Sequence, residues 1–291
     1  HHDPDEKMPP FGFRVEVLQD DSVRYVNQPI ALVVAETLEA ATEGARLLAP
    51  RYEEELPRTG LDNGERYDAE AVGVGSPAVA TAGDIETGFS AAARVTEAEY
   101  YPPPQYHNAM EPHAVVAEWD GDRLTLDMPN QALRMSANSY AQYFGIPPEN
   151  VLIRSPFLGG GFGSKAIING PQILGILAAR QLGRPVKLVL TRAQMYGPVG
   201  HRGRTWQKLR LGTDAKGRLT ALHHTSIGAT SSFDDFIEPA ANASLMLYAS
   251  PAIRAEHKGL RLDIGTPGPM RAPGEASGSA ALEIAIDEAA Q

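Results

Sequence analysis

"FLGGGFGSKAIINGPQILGILAARQLG", Phe157–Gly183, places four glycines in five residues between an apolar run and a stretch of helical pattern. Glycine costs backbone entropy, so a loop this rich in it answers a requirement. A phosphate-binding P-loop needs Ser or Thr directly after its lysine. Here Ser164 precedes Lys165 and Ala166 follows, so the pattern fails. Gly161-x-Gly163-x-x-Ala166 satisfies the dinucleotide fingerprint G-x-G-x-x-G/A between a strand and a helix. The next strand ends "LVLTRAQ", with Arg192 where an acid would hold the ribose. An NADP-binding oxidoreductase domain built on Gly161, Gly163 and Ala166 therefore stays open. So does a turn needed only for tight helix-on-sheet packing. In the ligand-binding readings, backbone N–H groups at a helix start receive an anion or an oxo group.

Outward from this loop, Val151–Ser155 reads as the strand that delivers it and Ala166–Leu182 as the helix that leaves it, with Gly183 as C-terminal cap. Pro185–Thr191 is a further strand. Upstream, Ala93–Tyr100, Ala114–Trp119 and Arg123–Met128 alternate as strands, with a hairpin turn at Asp120-Gly121, and Gln131–Phe144 is helical. Downstream, the run around Asp214–Gly217 makes a long hairpin, and "EASGSAALEIAIDEAAQ" is an amphipathic helix. Near the start, Val23–Val26, Ile30–Ala35 and Arg51–Glu55 read as strands around a helix from Leu38 to about Leu48 capped by Thr37, with a turn at Asn27-Gln28-Pro29. The expected fold is mixed α+β.

Of 291 residues, 43% are hydrophobic and 21% charged, which predicts a packed core. The net charge of −10 argues against a nucleic-acid surface. No apolar run has membrane-spanning length and no signal-peptide pattern opens the chain. The absence of cysteine excludes thiolate chemistry and cysteine-held zinc or iron–sulfur clusters within these residues, and leaves the compartment open.

Four stretches together carry a resemblance. "GGGFGSK" (Gly159–Lys165) resembles the glycine loop of the molybdenum-binding subunits of the xanthine oxidase family. "QYHNAMEPHAVVAEW" (Gln105–Trp119) resembles the family's first cofactor loop, and "MRAPGEASGSAALEIAIDE" (Met270–Glu288) its second. "VRYVNQPIALVVAETLEAA" resembles the end of the preceding hammerhead domain, with Asn27 in place of the usual glycine. The wording is nearest to bacterial aldehyde and isoquinoline oxidoreductases.

The resemblance assigns 1–57 to the C-terminal part of a hammerhead domain and 77–291 to an incomplete molybdopterin-binding domain; the Gly-, Asp- and Asn-rich stretch 58–76, with weak periodicity, reads as a linker between them. The resemblance implies a molybdopterin, in the cytosine dinucleotide form for a bacterial protein, whose dithiolene holds the molybdenum without direct protein ligands. It implies hydroxylation of aldehydes or N-heteroaromatics with water as oxygen source. Electrons leave through [2Fe-2S] and FAD on an iron–sulfur partner subunit and an FAD partner subunit.

Residue roles follow the same resemblance. Gln105 matches a glutamine that hydrogen-bonds an oxygen ligand of the metal. Gly160, Gly161, Phe162 and Gly163 match the loop beside the metal. Arg271 and Ala272 match the second loop, where the arginine fork suits anionic pterin oxygens. Ala166, Arg202 and Pro273 fall at substrate-facing positions. The purine-oxidising members have a glutamate at the first and a ring-stacking Phe at the last, so xanthine is not expected as substrate. The family's general base, a glutamate in a late loop, is expected beyond Gln291. Glu275 does not match it, and this chain alone is expected to show no turnover. A non-catalytic cofactor- or partner-binding piece is the competing reading.

Other candidates have simpler explanations. His107, Glu111 and His113 lack helical spacing and are interrupted by Pro112, so loop or strand histidines are expected there, not a metal site. His223 and His224 are adjacent in a strand and face opposite ways. Asp234, Asp235 and Glu238 read as a solvated acidic turn. Without the resemblance, Arg202 reads as solvated and Arg271 as a surface partner of Glu275.

Overall fold

Alternation decides the first sheet. In Ala114–Asp120 the side chains of Val115 and Ala117 turn inward, and in Arg123–Asp127 those of Leu124 and Leu126 do the same. The two strands form a hairpin whose turn carries Gly121 at φ +56°. The computed structural model describes Lys7–Met8 and residues 13–291, so His1 and His2 lie outside the described residues. The chain divides into two compact units, each assembled from two stretches: His107–Gly200 with the chain up to Pro57, and Arg58–Tyr106 with His201–Gln291.

In the first unit the sheet order is Val151–Arg154, Arg123–Asp127, Ala114–Asp120, Val186–Val189. The first pair is parallel and the others antiparallel. The helices Leu133–Phe144 and Gly170–Leu182 contribute Tyr140, Ile173, Ile176 and Ala179 to one core with the inward strand residues. Gly175 lets the second helix approach: a Cβ there would stand 3.1 Å from Val115 Cγ1 and 3.3 Å from Leu188 Cβ. Gly183 closes that helix at φ +61°.

That helix starts later than expected. Ser164–Ala166 forms only a single 3₁₀ turn, and the α-helix begins at Gly170. Asn169 caps it by accepting from Gln172 N at 3.3 Å, and Pro171 sits in its first turn. The expected strands Val23–Val26, Ile30–Ala35 and Arg51–Glu55 are not formed, although the Thr37-capped helix Leu38–Arg46 is. A strand needs a ladder partner, and these runs pair with no described strand, so Val23, Val26, Ile30 and Val34 stand exposed.

The second unit is a six-stranded sheet. Ile253–Leu262 and Leu219–Ser231 run parallel at its centre. Thr205–Thr213 and then Arg94–Tyr100 extend one side, and Glu65–Asp68 and Val79–Ala82 pair along the other. Residues 58–76, read as a linker, thus supply a sheet strand. Their Asp, Asn and Gly content marks the turns, while Tyr67 lies over Gly259, where a Cβ would overlap its ring. The helix Glu275–Ala290 packs Ala281, Leu282 and Ala285 onto Leu209, Leu211, Leu222 and Ile253. No helix among the described residues is long and apolar enough to cross a membrane.

Gly278 sets the seat of that last helix, because a Cβ would run into the Ala240 carbonyl oxygen. Gly278→Ala is expected to destabilise the protein by about 1–3 kcal/mol through overpacking, despite alanine's better helix propensity. Chemical denaturation would show this as a lowered midpoint. An unchanged or raised midpoint would contradict the packing described.

Candidate cofactor site

The glycine loop is built against side chains of its own unit. Glu111 Oε2 accepts from Gly159 N at 2.8 Å, and a Cβ on Gly159 would stand 2.5 Å from Glu111 Cβ. Gln131 Oε1 accepts from Gly163 N at 3.0 Å and Lys165 N at 3.2 Å, and a Cβ on Gly161 would collide with this amide. Gly160 and Gly163 take φ of +90° and +117°. The close approach that the glycines serve is therefore, at Gly159 and Gly161, that of Glu111 and Gln131.

Lys165 is buried beneath the loop. Its Nζ donates to Glu111 Oε2 at 2.8 Å and to Glu111 O at 2.9 Å. Burial pushes the Lys165 ammonium down from its usual range, against the pull of Glu111. Burial pushes the Glu111 carboxyl up, but Lys165 and the Gly159 N–H outweigh it and hold it low. With these bonds made, the N–H groups of Gly160, Gly161 and Phe162 have no acceptor among the described residues. Phe162 itself holds φ +52° and is 44% exposed. Successive free N–H groups on a turn of this kind are a donor site for an anion or a metal-bound oxygen.

The dinucleotide alternative does not survive this geometry. Its loop must open directly into a helix, whereas here the helix starts at Gly170 with its own cap. Its next strand should lie beside the first, but Val186–Val189 is separated from Val151–Arg154 by two strands. Arg192 spends its guanidinium on the carbonyls of Ala109 and Met110, at 2.7 and 3.0 Å.

In the second unit, Gln105 and Arg202 exchange backbone hydrogen bonds, Arg202 N to Gln105 O at 2.8 Å and Gln105 N to Arg202 O at 3.2 Å. The Arg202 side chain is not solvated: the residue is 3% exposed. Its Nη1 donates to Glu238 Oε1 at 2.9 Å and to Ala272 O at 3.0 Å. Its Nη2 donates to Arg271 O at 2.6 Å and Met270 O at 3.4 Å. Glu238 Oε1 also accepts from Gly274 N at 2.6 Å. Burial raises the Glu238 carboxyl above its usual range, opposed by the Gly274 N–H and the Arg202 charge. Glu238 is thus no part of a solvated turn, and Asp234 is buried as well; only Asp235 is exposed. The signal in the sequence was the apolar setting of Glu238 in "FIEPA".

Gln105 and Arg271 are exposed and their side chains have no partner among the described residues; Arg271 forms no pair with Glu275. Ala272 and Pro273 are exposed beside Arg271, with Ala272 at φ +58°. In the first unit Ala166 is half-buried, its N–H closing the 3₁₀ turn on Gly163 O at 3.0 Å. His107 and His113 are buried, and no group of His, Asp or Glu among the described residues could hold a metal ion. His223 and His224 do face opposite ways. His224 is buried between Ser244 and Gln207, while His223 is half-buried beside Glu256.

Each unit by itself carries donors that suit anionic oxygens: in the first the free N–H groups of the glycine loop, in the second the Gln105 amide and the Arg271 guanidinium, without partners among the described residues. Residues 72–291 match the family model described as a molybdopterin cofactor-binding domain. Over 287 residues the chain is 40% identical to the aldehyde oxidoreductase molybdenum-binding subunit PaoC of Escherichia coli strain K12, covering 94% of this chain and 37% of that protein. It is 29% identical to the nicotine 6-hydroxylase large subunit of Paenarthrobacter nicotinovorans, covering 94% and 36%. Its structure aligns with quinoline 2-oxidoreductase from Pseudomonas putida 86 at a TM-score of 0.76 and 25% identity, covering 88% of this chain and 34% of that one. The chain therefore spans well under half the length of these relatives. The resemblance carried by the cofactor loops holds across nearly the whole chain.

His113 supplies a pH test of the packing under the glycine loop. It is fully buried, its Nε2 lies 3.4 Å from Ser164 O, and burial lowers its pKa from 6.5 to about 4. Between those values the unfolded chain binds the extra proton. His113's contribution is therefore full above pH 6.5 and lost as pH falls toward 4, amounting to on the order of 3 kcal/mol. His113→Leu should flatten the pH dependence of unfolding free energy across this window relative to wild type. An unchanged slope would mean that His113 is not held neutral.

Proposed function

Because the chain belongs to the molybdopterin cofactor-binding domain family, we propose that it forms part of the molybdenum-binding subunit of an oxidoreductase hydroxylating aldehydes or N-heteroaromatics with water as oxygen source. The cofactor, as its cytosine dinucleotide form, supplies the oxidation and oxygen transfer, and [2Fe-2S] and FAD on partner subunits accept the electrons. A chain without cysteine has no thiolates to hold such clusters itself. Residues 1–57 are assigned to the end of a hammerhead domain, an assignment supported by the capped helix Leu38–Arg46.

The observation that carries this reading is the pair of exposed, unpartnered side chains of Gln105 and Arg271, on backbones both bonded to Arg202. The Gln105 amide donates to an oxygen without adding charge. The Arg271 fork binds anionic oxygens in two places at once. In the first unit, taken by itself, the N–H groups of Gly160, Gly161 and Phe162 form a set of donors for oxygen atoms that needs no reorganising. Ala166 offers no carboxylate and Pro273 no aromatic ring for purine recognition, which favours aldehydes and simpler heterocycles. The names of the aldehyde oxidoreductase and nicotine hydroxylase subunits accord with this, while other relatives are named as xanthine dehydrogenases. Glu275, exposed in the first turn of its helix, is given no role as base.

The test uses the complete gene product with its partner subunits. Arg271→Ala should lower cofactor affinity about tenfold or more, read as molybdenum and pterin per polypeptide. Gln105→Ala should keep cofactor and lower aromatic-aldehyde turnover by about 10²-fold. Wild type should leave xanthine unoxidised. A wild-type protein without molybdenum or pterin, or both variants at wild-type levels, would contradict the assignment; rapid xanthine turnover would contradict the substrate class.

A further inference from the structure

Resting on the cofactor reading above, we propose that Arg202 and Glu238 are positioning residues: a buried ion pair that holds the backbones of Gln105 and Arg271 where their side chains meet the cofactor. Neither residue was expected in this role, one being matched to substrate and the other to solvent.

The geometry is specific. Arg202 joins the first cofactor loop through its backbone and the second through its side chain. A guanidinium has five donors in a rigid fork, and four of them are spent here on Glu238 and on the successive carbonyls of residues 270, 271 and 272. Glu238 completes the frame by taking Gly274 N, one residue before the helix Glu275–Ala290 begins. Between these grips lies Ala272 at φ +58°, a conformation that an alanine leaves unless its surroundings hold it. Arg271 is next to it, so the direction of its side chain depends on this held turn.

Stability alone does not account for the pair. Both side chains are withdrawn from water, at 4% and 1% exposure, and two apolar side chains of like size would fill the space at less desolvation cost. The network is also incomplete: Arg202 Nε and Glu238 Oε2 are buried without partners among the described residues. What an apolar pair could not do is grip three consecutive carbonyls and the N–H that follows.

The experiment compares wild type, Arg202→Lys, and the double variant Arg202→Met with Glu238→Met, each as the complete gene product with its partners. Three quantities are read: unfolding midpoint, molybdenum and pterin per polypeptide, and the split between kcat and KM. The double variant should keep the wild-type midpoint while cofactor content falls at least tenfold, which a merely structural pair would not produce. Arg202→Lys keeps the charge beside Glu238, but one ammonium cannot span the three carbonyls. It should fold, lose cofactor to a similar degree, and recover at least threefold when Ala272→Gly is added, because glycine holds positive φ unaided. Should the double variant fail to fold, the lysine variant and its rescue decide alone. Wild-type cofactor content in Arg202→Lys would overturn the proposal. Absence of cofactor from wild type would instead overturn the functional reading beneath it.

Discussion

A guanidinium and a carboxylate taken out of water together shape the candidate site of the second unit. The Arg202–Glu238 pair lies under the turn that carries Arg271, and the Arg202 backbone is bonded to Gln105. Charge buried to this degree costs desolvation, which only close partners offset. Met270, Arg271, Ala272 and Gly274 provide those partners from their main chain, so the turn folds around the ion pair and presents its exposed side chains outward.

The first unit buries only the cation of its pair. Lys165 is buried against the half-buried Glu111, and that carboxylate also takes the N–H of Gly159. Gln131 takes two more N–H groups farther along the loop. The loop is thereby fixed at both ends, and its three middle N–H groups are left facing away from protein acceptors. A preorganised set of donors is what binding to a fixed array of oxygens requires, since none of the ordering cost falls at the moment of binding.

Much of this was legible in the sequence where the cause is local. The Asp120-Gly121 hairpin, the Thr37 and Gly183 caps and the strands Arg94–Tyr100, Ala114–Asp120, Arg123–Asp127, Val151–Arg154 and Val186–Val189 depend on nearest neighbours and stand close to where the pattern puts them, whereas Glu65–Asp68, Val79–Ala82 and Ile253–Leu262 carry no such reading. Non-local causes were not legible. The runs at Val23–Val26 and Ile30–Ala35 have strand composition, yet without a ladder partner they remain irregular. Asn169 and Pro171 delay the helix after the glycine loop, a boundary hidden by the apolar "AII" that precedes it. Glu238 looks solvated beside Asp234 and Asp235; its burial depends on Arg202, 36 residues away. Gly161 invites a ligand in explanation, whereas its closest neighbour is Gln131, 30 residues earlier in sequence and beyond the reach of any local pattern.

The central claim is that the second unit's loops hold a molybdopterin through the Gln105 and Arg271 side chains, the groups left free by their internal bonds. A crystal structure of the complete gene product, with anomalous diffraction measured on both sides of the molybdenum absorption edge, tests it most directly. The account predicts a molybdenum peak next to the Gln105 side chain, with the Arg271 guanidinium on anionic oxygens of the pterin and the Ala272 turn still bonded to Arg202. A molybdenum peak remote from Gln105, or a bound pterin that leaves Arg271 in solvent, would contradict it.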